Sequence, residues 1–314
     1  MTERKSPKPL TLKLVSTTLP PPKIQIKKDY VLKTFHKNYK NIGINEAVFL
    51  ASLRHPRIQT LTSCRLKDGV MELKMPKGVT DTYQSLPDDK VLCSWMFQAL
   101  SAVNYLHEND ITHGDIKPSN FLLMSDGTLR LIDFELASCN GKNDRTDTAF
   151  TVNYRAPEVW EGKWNKPADV WALGATFFRW IYGCDLVPTQ KNDTDYKECL
   201  KVWSGRRTDS VTCYPPNTFS FFIDFTESKF LLMSMLHTNP TDRRTAKELL
   251  ESDFFKDFRE IKSLLPVELS SNSWQSKYKS YEWLYVKRYT DDRMKTEVAD
   301  DVDELLNVIA TCDK

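Results

Sequence analysis

The chain has 314 residues, 40% hydrophobic and 27% charged, which is enough for one two-lobed domain with a modest extension. No apolar run approaches the roughly 18 residues of a membrane span, and Met1 to Pro9 has no apolar centre, so neither a spanning segment nor a secretory leader is expected. The seven cysteines are scattered without a Cys-x-x-Cys, which argues against zinc and for reduced thiols in a cytoplasmic or nuclear, intracellular protein.

Net charge is +2, yet residues 1–80 carry 16 Lys or Arg against 5 Asp or Glu, which leaves the remainder of the chain net negative. A solvated basic face is the expected reading. No zinc-finger, RRM-like or helix-turn-helix pattern supports nucleic-acid binding.

In chain order, residues 1–22 read as a basic N-terminal segment ending in Pro20-Pro21-Pro22. Asp29 to Lys33 reads as a short strand carrying Lys33. Asn45 to Leu53 has apolar residues at helical spacing with Glu46 among them, followed by the turn His55-Pro56-Arg57-Ile58. Strands are expected near Ile58 to Arg65 and Val70 to Met75, joined by a Lys67-Asp68-Gly69 turn, with a hinge at Pro76-Lys77-Gly78.

A helix is predicted from Asp89 to His107, with residues 92, 95, 96, 99, 103 and 106 on one apolar face. Ile111 to Leu123 then reads Ile-Thr-His-Gly-Asp-Ile-Lys-Pro-Ser-Asn-Phe-Leu-Leu, and Asp133-Phe134-Glu135 lies ten residues on. Between them the Phe121 to Met124 run, the Ser125-Asp126-Gly127 turn and Leu129 to Ile132 make a hairpin that brings the two acidic sites together. An isolated His-Gly-Asp would be a polar turn; here it comes with two carboxylates, an amide and a lysine at a spacing suited to phosphoryl transfer. Thr245 to Glu248 is a capping box for a late helix. The aromatic-rich residues 262–314 are expected to pack on their own domain.

From about Val31 to Phe255 these motifs, in this order, resemble the eukaryotic protein kinase superfamily, in a divergent Ser/Thr form. The resemblance implies an α+β, bilobed fold: a β-rich small lobe with one main helix over 23–75, a larger helical lobe over 76–261, and an extension over 262–314. It implies ATP and Mg2+ as cofactors, with Asp115 as catalytic base, Lys117 steadying the transferred phosphate, and Asn120 and Asp133 on the metal. Lys33 would bind the α and β phosphates and pair with Glu46. Thr151 in Thr-Val-Asn-Tyr-Arg-Ala-Pro-Glu would hydrogen-bond near Asp115. Asp169 would brace the catalytic loop, and Arg243 would pair with a buried Glu158. Lys117 together with Thr151 is the pattern of serine/threonine kinases, and Tyr154-Arg155 is most like the cyclin-dependent and mitogen-activated group.

Three departures matter. No glycine precedes Gly43, and prolines stand where a glycine-rich loop would offer N–H groups to phosphate, so weakened ATP binding is expected. Glu135 replaces the glycine of the Asp-Phe-Gly turn, which restricts that backbone and adds a carboxylate that either helps hold a cation or raises the cost of two like charges. Gly114 replaces an arginine that pairs with activation-loop phosphate in many relatives, so phosphorylation of that loop is not expected to be the main switch. The expected function is transfer of the ATP γ-phosphate to a Ser or Thr hydroxyl of a protein, and the short segment from Asp133 to Glu158 suits either a constitutive enzyme or one controlled by a regulatory protein. The alternative is a pseudokinase that acts as a scaffold.

Overall fold

The computed structural model describes residues 22–83, 87–139, 151–187, 196, 200 and 225–259. The basic residues 1–21 and the extension from residue 260 onward lie outside them, as does the middle of the segment between Asp133 and Glu158.

The first layer is an antiparallel sheet of β1 (Lys23–Ile26), β2 (Tyr30–Phe35), β3 (Ser63–Lys67) and β4 (Val70–Pro76), ordered β1-β2-β4-β3. The β4 pattern alternates strictly, with Met71, Leu73 and Met75 buried, as a strand with one covered face requires. Helix α1 (Lys40–Ser52) covers that face. It is buried almost all round from Gly43 to Leu50, and Gly43 sits so close to β2 that an added Cβ would lie 2.5 Å from the Phe35 ring. Register places Lys33 opposite Leu73, with its side chain pointing beneath α1 at Glu46.

The expected strand from Ile58 does not form as predicted; the strand begins at Ser63. The reason lies in where the backbone polar groups go. Gln59 N donates to Leu131 O at 2.9 Å and Leu131 N to Arg57 O at 2.8 Å, which ties this stretch to the large lobe rather than to the sheet.

The second layer is helical. α2 (Asp89–Glu108) is capped by Asp88, whose side chain accepts from Val91 N at 3.0 Å, and buries the predicted face Leu92, Trp95, Met96, Ala99, Val103 and Leu106. α3 (Lys166–Tyr182) is the buried axis of this lobe: Asn165 caps it, every residue from Asp169 to Phe178 is buried, and Gly183 ends it in the left-handed conformation. It begins at Lys166, three residues before Asp169.

Between the layers lie β5 (Thr80–Asp81), β6 (Ile111–Thr112), β7 (Phe121–Leu123), β8 (Leu129–Leu131) and β9 (Ser138–Cys139). β7 and β8 form the predicted hairpin, β5 adds to its edge, and β6 pairs with β9. Thr82 Oγ1 donates to Pro118 O at 2.7 Å and accepts from Trp180 Nε1 at 3.0 Å, so the stretch after the hinge is pinned to both the loop and α3. The capping box at Thr245 and Glu248 is present. No helix among the described residues is long and apolar enough to cross a membrane.

Candidate active site

Two clusters face one another across the junction of the layers. The first is built on β2, α1 and the turn after β8. Lys33 Nζ lies 2.8 Å from Glu46 Oε2, 2.8 Å from Asp133 Oδ1 and 2.8 Å from Glu135 Oε1. Asp133 adopts the left-handed region, φ 69° and ψ 72°, which is costly for a residue with a Cβ and turns its carboxylate towards Lys33 while Phe134 turns inward. Phe134 is fully buried between Phe49 and the edge of the His113 ring. Asn45 fixes the same turn from α1: its amide donates to the carbonyls of Phe134, Glu135 and Ala137 at 3.2 to 3.3 Å.

The charges in this cluster do not balance, because three carboxylates meet one ammonium. Burial disfavours the Lys33 charge, but Glu46, Asp133 and Glu135 outweigh it and hold its pKa above the usual range. Burial pushes the Glu46 carboxyl up to about 7 against the pull of Lys33, and its Oε2 sits at ion-pair distance without a well-directed hydrogen bond. Burial raises Glu135 as well, again opposed by Lys33. Asp133 is lowered: burial works against its charge, and Lys33 more than compensates.

The second cluster is the loop after β6. Lys117 Nζ donates to Asp115 Oδ2 at 2.5 Å and to Thr151 Oγ1 at 2.8 Å. Thr151 in turn donates to Asp115 Oδ1, from its hydroxyl at 3.1 Å and its backbone N–H at 3.3 Å. Asn120 Nδ2 donates to Asp115 O at 2.8 Å and Oδ2 at 3.2 Å, which turns its amide oxygen away from Asp115. Beneath the loop, Asp169 accepts from His113 N at 2.7 Å and Gly114 N at 2.9 Å. Gly114 has φ +78°, a left-handed turn that favours glycine.

Each of the six predicted site residues thus lies in one of the two clusters: Lys33, Glu46 and Asp133 in the first, Asp115, Lys117 and Asn120 in the second. The expected Arg243–Glu158 pair is bidentate and buried. Asn45 and Thr82 were not singled out from sequence. The only signal for Asn45 is a polar residue next to Glu46 within an otherwise apolar helical run.

Asp133, Glu135 and Asn120 are hard oxygen donors of the kind magnesium takes. The ligand oxygens of Glu46, Asp133 and Glu135 lie within 4.8 Å of one another, and their excess negative charge is of the sign a divalent cation offsets.

This arrangement, on a small sheet lobe over a helical lobe, is that of the protein kinase fold. The chain matches the protein kinase domain family over residues 23–255 and belongs to that family. It is 29% identical over 258 residues to human cyclin-dependent kinase-like 4, which covers 70% of this chain and 65% of that protein. It thus spans slightly less than two thirds of that relative's length. It is also 29% identical over 243 residues to the serine/threonine-protein kinase KIN28 of Saccharomyces cerevisiae, covering 68% of this chain and 79% of that relative.

Proposed function

We propose that this protein is a serine/threonine protein kinase that transfers the γ-phosphate of ATP to a Ser or Thr hydroxyl of a protein. The observation that carries the reading is the Lys117 ammonium bridging Asp115 and Thr151. In this reading Asp115 serves as the base, Lys117 as the cation beside it and Thr151 as the holder of the acceptor hydroxyl. In this reading the acceptor oxygen attacks the γ-phosphorus, its proton passes to an Asp115 oxygen, and the bond from the γ-phosphorus to the bridging oxygen breaks to leave ADP. Lys117 steadies the transferred group and Lys33 receives the α and β phosphates. Asp133 and Asn120 would hold magnesium, which when bound would supply positive charge to offset the phosphates.

The lobe division at residues 75 and 76, with 1–22 and 262–314 as flanking segments, belongs to the same proposal, as does a protein regulator. The name of the yeast relative supports Ser/Thr specificity. A second reading, a pseudokinase scaffold, is favoured by one observation: Lys33 is already surrounded by three carboxylates.

The test is phosphoamino-acid analysis of a generic protein substrate after incubation with γ-labelled ATP and magnesium. Label on phosphoserine or phosphothreonine is expected. Label on phosphotyrosine contradicts the specificity, and no label on any residue favours the scaffold.

A further inference from the structure

Glu135 stands where the sequence allowed two roles, cation ligand or uncompensated charge, and the structure gives it a third. Its carboxylate oxygen sits 2.8 Å from Lys33 Nζ. An ammonium has three N–H groups, and three carboxylate oxygens already lie at 2.8 Å around this one. A phosphate oxygen therefore meets Lys33 in competition with these three anions.

The three are not equally displaceable. Glu46 is 1% exposed and enclosed by α1. Asp133, 29% exposed, has the shorter side chain, on a left-handed backbone ahead of the buried Phe134, and accepts a hydrogen bond from Lys33 Nζ at 2.8 Å. Glu135 is 22% exposed, and Asn45 holds the backbone of its turn through carbonyls, which leaves side-chain rotation as the small movement available. Once off Lys33, the Glu135 carboxylate would face Asp133 and an incoming phosphate, both negative, unless a cation stood beside it.

Resting on the kinase reading above, we propose that Glu135 is a gate on nucleotide binding. It occupies Lys33 as an internal anion, and a phosphate-bearing ligand gains Lys33 when a divalent cation draws Glu135 away. Cation and nucleotide then bind with a coupling specific to phosphate-bearing ligands, beyond the chelation of one by the other.

The experiment is calorimetric titration of ADP, and of adenosine as a probe without phosphate, into wild type, Glu135→Gln and Glu135→Gly, first with a chelator and then with magnesium. Gln keeps the shape and removes the charge, so its result stands even where the glycine variant fails to fold. The expected result is an ADP affinity without cation that rises about tenfold in the variants, with adenosine affinity within about twofold of wild type and a smaller gain from magnesium than wild type shows. Variant ADP affinity within about twofold of wild type overturns the gate, and so does an equal change for adenosine, which marks general loosening. No nucleotide binding by wild type or variants, with or without magnesium, overturns the kinase reading itself, and the gate with it.

Discussion

Asp169 Oδ2, at the head of the buried α3 helix, accepts a 2.7 Å hydrogen bond from the backbone N–H of His113. Its other oxygen takes the N–H of Gly114 at 2.9 Å, and His107 Nε2 lies 3.2 Å from Oδ2. The loop after β6 is thus shaped by an acceptor from an element that has no contact with substrate in the proposed reaction. Asp169→Ala leaves one buried and one half-buried N–H without that acceptor, at a cost of about 2 kcal/mol or more. Urea denaturation should show this loss, and kcat should fall further than KM rises. Asp169→Asn, which keeps one oxygen, should fall between the two. Unchanged stability in the alanine variant contradicts the bracing role.

Arg243 and Glu158 form a buried pair, with Arg243 also donating to His237 O at 2.6 Å and Pro167 O at 2.9 Å and stacking 5.1 Å from the Trp171 ring. Removing either partner leaves a buried charge uncompensated, so Arg243→Ala and Glu158→Ala should each cost about 3 to 5 kcal/mol. The double variant should cost clearly less than the sum of the two. Equilibrium denaturation of the four proteins measures this coupling, and strict additivity contradicts it.

His55 gives a pH signature remote from the proposed metal ligands. Burial, with help from Arg57, lowers its pKa to about 3. It stacks on Tyr105, its Nδ1 accepts from Arg57 N at 3.2 Å, and Ser101 Oγ lies 3.3 Å from Nε2. The folded chain therefore keeps His55 neutral where the unfolded chain protonates it, so this stabilisation is fully present above the ordinary pKa near 6.5 and is lost as pH falls towards 3. Between pH 7 and pH 5, wild type should lose on the order of 1 to 2 kcal/mol more than His55→Gln does. Denaturation at both pH values tests it, and equal losses contradict it.

Asp115, Lys117, Asn120 and Asp133 were legible because they lie within two short stretches joined by a hairpin. Asp115, Lys117 and Asn120 share one loop, and Asp133 follows a turn that sequence locates at Asp126-Gly127. The α2 face and the Thr245 capping box were legible for the same reason, since helical periodicity and caps are local. What was missed depends on contacts remote in sequence. Ile58 was read as part of a strand because it is apolar and β-branched, and its neighbours' hydrogen bonds to Leu131 overrode that propensity. The attachment of Glu135 to Lys33 and of Asn45 to the same turn are tertiary juxtapositions with no periodic signature.

The most direct test of the kinase reading is magnesium-dependent transfer of labelled phosphate from ATP to a generic Ser/Thr protein, comparing wild type with Asp115→Asn purified identically. Asn preserves the size of the side chain and removes the proton acceptor, so wild type should transfer label and the variant should be about 10²- to 10⁴-fold slower, with a similar melting temperature. Equal rates in the two proteins, or no transfer by wild type, would contradict it.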